Sequence, residues 1–317
     1  MKLSIIITVF NKEQFIERCL QSCINQLSTQ HDLYEILVIN DGSTDNSKVL
    51  IEKYLTEQDN IRLISQDNMG LSIARNNGVK EAKGEYVWFV DADDYIVENA
   101  VALILEASAN SPDVIPIQSK TEDMLRVRNS IPVSAKDGKA VLLSRKWAFC
   151  SPFYIYRRSF LIDNTLWFYP GIYHEDAELT PRLLYYAHSV SVVPQVLYIV
   201  FHDPNSITQV PKIKRADDYV FIADRLFHFK TDIVLAERRL ARVFDYIISE
   251  IINNALYIIC KFDSSQKAEF DRKLYQNRSI LSSLWRAGHV KYRMEYVLFR
   301  VFPKRYSKVY EILRHFA

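Results

Sequence analysis

The chain has 317 residues, with 40 Lys/Arg against 38 Asp/Glu for a formal net charge of +2, 49% hydrophobic positions and seven glycines. That length and hydrophobic share support a sizeable core and exclude wholesale disorder. The balanced charge gives no general reason to expect nucleic acid. The four cysteines, Cys19, Cys23, Cys150 and Cys260, form no Cys-x-x-Cys pair and have no histidine at zinc-ligand spacing. Neither a structural zinc site nor a disulfide framework is expected, which fits a reducing compartment. No glycine-rich phosphate loop of the Rossmann or P-loop type is present, so any phosphate chemistry falls to a metal or to basic side chains.

In chain order, Met1–Glu13 places one basic residue before a short apolar run with no small-residue cleavage site, which reads as a buried strand rather than a signal peptide. Strand-length β-branched runs follow at Ile36–Ile39, Ile61–Ile64, Tyr86–Val90 and Val114–Ile117. Amphipathic stretches separate them: Glu13–Gln26, Asp45–Glu57, Leu71–Ala82 and Glu98–Asn110. This alternation predicts βαβ units and a mostly parallel sheet, with ligands beyond the carboxyl ends of the strands. Residues 121–210 are less regular and close with two strand-like runs, Val190–Val193 and Val196–Phe201, around a turn at Pro194. From Pro211 onward the pattern is helical, with Leu240, Val243, Phe244, Ile247, Ile248, Ile251, Ile252 and Ala255 on one face. The most hydrophobic stretch, Ile247–Cys260, is interrupted by Glu250, Asn253 and Asn254, so no spanning helix is expected.

Three strands run into polar clusters: Thr8–Asn11, Asn40–Asp45 and Asp91–Asp94. Three carboxylates after an apolar strand suit Mg²⁺ or Mn²⁺, which need only one or two protein carboxylates when a diphosphate supplies the other oxygens. A solvated loop or an acid-favouring helix start explains the same residues. Likewise Asp41 before Gly42 is either a ligand-binding acid or part of a turn and cap. Glu175-Asp176 is either an acid pair for chemistry or a helix-start cap.

The five blocks TVFN, VINDGSTDNS, DNMGLSIARNNG, KGEYVWFVDADD and HED, in this order over roughly residues 1–210, resemble the family 2 glycosyltransferases. The resemblance implies a GT-A-like α/β fold, a mostly parallel central sheet flanked by helices, here with a C-terminal helical appendage. It implies a nucleotide-sugar-binding half at 1–120, an acceptor and catalytic-base half at 121–210, and a helical region at 211–317. Thr8, Phe10 and Asn11 then begin the nucleotide pocket, with Phe10 replacing the usual tyrosine. Asp41 matches the acid that pairs with the base, and Arg75 the basic residue near the diphosphate. Asp91 and Ala92 fall beside the ribose or metal shell, Asp93 is the principal metal ligand, and Asp94 supports either. Asp176 matches the general base, with Glu175 beside it. The fold can also bring a late histidine to the metal, here His202. Trp167 and Tyr169 either form an acceptor platform or pack in the core.

The implied activity is inverting, metal-dependent transfer from a nucleotide-diphosphate sugar, most often a UDP-sugar, to a glycan or lipid-linked acceptor hydroxyl in capsule, O-antigen or exopolysaccharide synthesis. A sugar-nucleotide nucleotidyltransferase would want a glycine-rich N-terminal loop that is absent, and the intact acid blocks oppose a noncatalytic scaffold. Residues 278–317 carry nine Lys/Arg and two Asp/Glu, a local +7, which leaves −5 for the preceding 277 positions. Aromatic residues interleave with those cations. This tail either lies on an anionic membrane surface or packs on the rest of the chain. The expectation is a cytoplasmic protein, peripheral at the inner face of the cell membrane, with no nucleic-acid partner.

Overall fold

In a computed structural model, residues 1–27, 31–122, 127–128, 131–201 and 212–314 are described. The chain groups into two compact units, Met1–Gly171 with Leu183–Pro204, and Ile172–Arg182 with Asn205–Ala317. The short segment 172–182, which carries Glu175 and Asp176, therefore groups with the C-terminal helices rather than with the sheet.

The first unit alternates as its periodicity predicts. Its elements begin β1 (Leu3–Val9), α1 (Ile16–Ile24), β2 (Tyr34–Asp41), α2 (Ser47–Leu55), β3 (Ile61–Gln66), α3 (Leu71–Glu81), β4 (Tyr86–Asp91), β5 (Tyr95–Ile96) and α4 (Ala100–Ala107). They continue through β6 (Val114–Thr121), β7 (Val127–Arg128), α5 (Gly138–Ser144), β8 (Tyr154–Arg157) and α6 (Arg158–Asp163). After α7 (Glu175–Tyr186), whose first turns belong to the other unit, β9 (Val193–Val200) completes the sheet. The strand order is β3-β2-β1-β4-β8-β6-β9-β5, with β7 paired to β6. β3, β2, β1 and β4 are parallel neighbours, whereas β8 lies antiparallel between β4 and β6. Strands β1 and β2 are buried on both faces, the pattern of a parallel sheet covered on two sides. Connections leave β1 toward β2 on one side and reach β4 on the other, so the crevice at the β1 and β4 carboxyl ends is the topological switch point.

One local expectation changes. Pro194 is no turn, because β9 runs through it as one strand. Its pairing with β6 jumps from Ile117↔Val193 to Gln118↔Val196, and this bulge accommodates a residue that cannot donate to the ladder. Within the less regular stretch, Tyr154–Arg157 form β8, with Tyr154, Ile155 and Tyr156 buried.

The second unit is helical after α7: α8 (Ile213–Phe229), α9 (Arg238–Ile259), α10 (Ser264–Gln276), α11 (Ser282–Arg286), α12 (Val290–Val301) and α13 (Tyr306–Arg314). Every apolar position named for the α9 face is buried. A π-helical turn, Lys230–Val234, follows α8 and turns Lys230 inward, where its Nζ lies 2.5 Å from Asp245 Oδ1 and also reaches Ser283 Oγ. Among the described residues no helix is long and apolar enough to cross a membrane.

One buried polar cluster ties the start of the sheet together. Glu35 on β2 accepts from Ser4 Oγ and the Lys83 N–H at 2.6 Å each, and from Arg62 Nη1 at 2.9 Å. Burial pushes the Glu35 carboxyl up, but those donors outweigh it and hold it below the ordinary carboxylate value. A depressed folded value means that stability is present at neutral pH and is lost as pH falls through that value. Glu35→Gln should therefore destabilise the protein by roughly 1–3 kcal/mol at pH 7. In urea titrations the gap to wild type should narrow as pH drops below the ordinary carboxylate range.

Candidate active site

The site in the first unit is built from the turns at the carboxyl ends of three parallel strands. β1 ends beside β2 and β4, with Thr8 paired to Ile39 on one side and Asp91 on the other. Phe10 then emerges 42% exposed. Asn11 takes a left-handed backbone (φ 52°), and its Oδ1 accepts from the Thr44 N–H at 2.8 Å while its own N–H donates to Ser43 Oγ at 3.1 Å. The turn after β1 is thus bonded to the turn after β2. That second turn requires glycine: Gly42 has φ 73°, and a Cβ there would stand 2.7 Å from the Asn68 backbone nitrogen.

Asp41 at the end of β2 is buried and accepts three hydrogen bonds from the protein itself. Gln66 Nε2 and the Met69 N–H reach Oδ1 at 2.7 and 2.9 Å, and the Gly70 N–H reaches Oδ2 at 2.9 Å. Its carboxylate anchors the loop into α3, and of its four lone-pair positions one remains, on Oδ2. No local pattern in the sequence announces this anchoring, because the donors lie 25 to 29 residues downstream.

The turn after β4 carries the acid cluster. Asp91 Oδ1 accepts from Arg75 Nη2 at 2.9 Å. Arg75 is only 2% exposed, and its guanidinium lies over the Phe89 and Phe168 rings, so it is a buried partner of Asp91 and not a surface cation. Asp93 Oδ2 meets Lys12 Nζ at 2.5 Å, and the Asp93 carbonyl accepts from Arg18 Nη2 at 2.7 Å. Ala92 is buried within the turn. Asp94 points inward: Oδ2 accepts from the Tyr198 hydroxyl at 2.6 Å and Oδ1 from the Phe201 N–H at 2.8 Å. Burial, with the Asp91 carboxylate next, pushes Asp94 up to about 8. The Tyr198 hydroxyl also accepts from the Asp91 N–H at 3.1 Å.

The residue types suit a hard divalent cation. Asp91 and Asp93 keep 35% and 21% of their side chains exposed, whereas both Asp94 oxygens are hydrogen-bonded inside. Among the described residues no three His, Cys, Asp or Glu side chains converge as a complete metal cage. The set therefore fits Mg²⁺ or Mn²⁺ whose remaining oxygens come from a diphosphate. His202 lies outside the described residues.

Near Arg75, Asn76 clamps Phe168 through Nδ2 to its carbonyl (2.8 Å) and Oδ1 from its N–H (3.0 Å). Phe168 is core, packed edge-on against Phe89, while its neighbours Trp167 and Tyr169 are half-buried and exposed.

The second acid centre belongs to the other unit. His174 precedes α7 with φ 62°, stacks on Tyr219 at 4.0 Å, and accepts from Arg215 Nε at 3.3 Å. Burial and the Arg215 charge lower its imidazole to about 4, so it is neutral. Glu175 and Asp176 open α7, where the helix dipole favours acids. Glu175 is buried and Asp176 partly exposed. One turn on, fully buried Glu178 accepts from Arg182 at 2.6 Å and Arg225 at 2.9 Å. Lys12, Arg18, Tyr198, Arg215 and Arg225 are residues of these two centres that the sequence motifs do not single out. Only Lys12, directly after TVFN, carries a local signal.

Residues 4–165 match the family model described as glycosyl transferase family 2. The chain belongs to that family. It is 32% identical over 222 residues to the uncharacterized glycosyltransferase YibD of Escherichia coli, covering 66% of this chain and 64% of that one. It is also 32% identical over 231 residues to the uncharacterized glycosyltransferase EpsJ of Bacillus subtilis, covering 69% and 66%. The matches thus span slightly under two thirds of these relatives' own lengths. The fold resembles the crystal structure of residues 1–349 of TarS from S. aureus in complex with UDP-GlcNAc, with a TM-score of 0.78 over 99% of this chain and 92% of that one, at 22% identity. The GT-A-like architecture expected from the motifs is therefore present.

Tyr198→Phe removes the hydroxyl that links Asp94 to the Asp91 N–H and leaves both buried groups short of a partner. It should cost about 1–3 kcal/mol in chemical denaturation. Unchanged stability would show that the turn holds itself.

Proposed function

We propose that this protein is an inverting glycosyltransferase that moves a sugar from a nucleotide-diphosphate sugar, a UDP-sugar by preference, to a hydroxyl of a glycan or lipid-linked acceptor in the assembly of a surface polysaccharide such as capsule, O-antigen or exopolysaccharide. The observation that carries this reading is the switch-point edge, where β2 and β4 end on Asp41 and Asp91 on either side of β1, and the turn after β1 brings Asn11 to Thr44 and Lys12 to Asp93. The UDP-GlcNAc bound by TarS, whose fold this chain shares, supports the uridine donor.

In this reading Phe10 offers its exposed face to the base, and the remaining Asp41 lone pair accepts a base N–H. Asp91 and Asp93 are the residues that would hold Mg²⁺ or Mn²⁺, and the ion would supply charge stabilisation to the departing diphosphate. Arg75 orients Asp91 rather than touching the donor. Trp167 and Tyr169 border the acceptor. Asp176 takes the proton from the acceptor hydroxyl while Glu175 supports the start of α7. The acceptor oxygen bonds to the anomeric carbon as the bond to the diphosphate oxygen breaks on the opposite face, which inverts the configuration.

Asp93→Ala should weaken Mn²⁺-dependent UDP binding. Asp176→Asn should keep donor affinity while transfer falls by about 10²–10⁴, the usual worth of a placed base. Normal transfer by Asp176→Asn would remove it from that role.

The same proposal puts the protein at the inner face of the cell membrane. α12 buries Tyr292, Glu295 and Phe299 and exposes Val290, Met294, Val297 and Val301 at i, i+4, i+7 and i+11. Its only acid, Glu295, is buried and bonded to Asn253 Nδ2, while Arg293 and Arg300 are exposed. Such an apolar line flanked by cations suits an anionic bilayer surface. Met294→Glu with Val297→Glu should reduce sedimentation with phosphatidylglycerol vesicles and leave UDP binding intact. Unchanged sedimentation would exclude this face. Point substitutions are the right test because deleting 278–317 would also remove the buried Phe299, Tyr306 and Tyr310.

A further inference from the structure

The second unit contains a cavity of about 730 Å³ whose wall includes Tyr275, Arg278, Tyr296, Phe299, Arg300 and Tyr306. Arg278 donates through Nη1 to the Tyr275 carbonyl at 3.3 Å, and Arg300 through Nη1 to the Tyr296 hydroxyl at 3.3 Å. Among the described residues neither has an ion pair.

Aromatic rings brace both cations. The Arg278 guanidinium lies 4.8 Å from the Tyr275 ring centre, and Lys304 Nζ lies 4.9 Å from the same ring. Arg300 lies 6.0 Å from the Tyr296 ring centre. Lys304 is held at φ 63°, in the left-handed region that an L side chain rarely adopts. Cation–π support steadies a guanidinium without occupying its N–H donors. A guanidinium has five N–H donors, and each arginine engages its neighbours through Nη1 alone, so both retain the paired donors that take phosphate oxygens two at a time. Arg278 and Lys304 share the Tyr275 ring, and among the described residues no carboxylate pairs with either or with Arg300, so an anion seated there would offset like charges. The volume exceeds what a bare phosphate fills and falls in the range of small organic ligands.

We propose that this cavity binds an organic phosphate ester, with Arg278 and Arg300 holding the phosphate and the aromatic wall accepting its polyol or sugar body. The site lies wholly within the second unit and goes beyond the transferase reading. Its chemistry is shared by phosphorylated saccharides and by the glycerol phosphate headgroup of an anionic lipid.

Titration calorimetry on the full chain, with glucose 6-phosphate and with soluble short-chain phosphatidylglycerol as probes, tests it. The expected result is binding that glucose does not reproduce, that UDP does not displace, and that weakens about tenfold or more in Arg278→Ala and in Arg300→Ala. Arg278→Lys should retain part of the affinity. Binding of glucose 6-phosphate identifies the source as a phosphorylated saccharide, and binding of the lipid probe alone identifies a headgroup. Failure of both probes, binding unchanged in both alanine variants, or displacement by UDP would overturn the proposal. UDP affinity measured on the same variants should stay at the wild-type value, which separates failure of this site from failure of the donor site.

Discussion

Three carboxylates within four residues after β4 must coexist, and the donor edge depends on how that conflict is resolved. Two unit charges about 4 Å apart repel by roughly 4 kcal/mol at an effective dielectric of 20. An acid turn without partners would therefore open. Each aspartate here receives a different answer. Asp91 has the buried guanidinium of Arg75, Asp93 the ammonium of Lys12, and Asp94 the Tyr198 hydroxyl and the Phe201 N–H. These partners come from α3, the turn after β1, and β9 with the residue after it, so one short turn gathers three distant segments of the first unit. The outcome is two outward-facing carboxylates and one structural carboxyl.

Arg75 extends the same logic sideways. A guanidinium this deeply buried needs both a counter-charge and flat surfaces, and it has Asp91 together with the rings of Phe89 and Phe168. Phe168 is in turn fixed at both backbone groups by Asn76, the next residue on α3. The exposed Tyr169 and half-buried Trp167 therefore hang from a clamp that also positions the acid turn. Donor-side and acceptor-side candidates in this unit share one support.

Periodicity makes the parallel half of the sheet legible, because β1, β2, β3 and β4 are short apolar runs bounded by amphipathic helices. The α9 face is legible for the same reason. The ordered acid blocks point to the family. Contacts across long separations are the part that stays hidden. Tyr198 sits 104 residues after the carboxyl it bonds, and in the sequence it is one more aromatic in an apolar strand. Arg75 has the sequence signature of a surface residue because no local feature shows the rings that close over it. Pro194 misleads because a proline in a strand is tolerated only at an edge or a bulge, and the bulge depends on β6. The grouping of 172–182 with the C-terminal helices rests on partners such as Asp218 and Arg225, which accept from the Tyr173 N–H and donate to Glu178 respectively.

In the C-terminal segment α12 has one packed face and one exposed face. That helix turns Tyr292 and Phe299 inward and its valines outward, and its single acid is buried. The +7 charge of residues 278–317 is therefore carried mainly on exposed positions, where it remains available to an anion. Glycine scarcity has a parallel consequence at the donor edge. Gly42 is committed to a left-handed turn pressed against the Asn68 backbone, and Gly78 lets α3 sit on Ile6, where a Cβ would meet Cγ2 at 2.5 Å. Neither is free to build a backbone cradle. The phosphate recognition we propose therefore falls to side chains: carboxylates that suit a divalent ion at the strand ends of the first unit, and ring-braced arginines in the second.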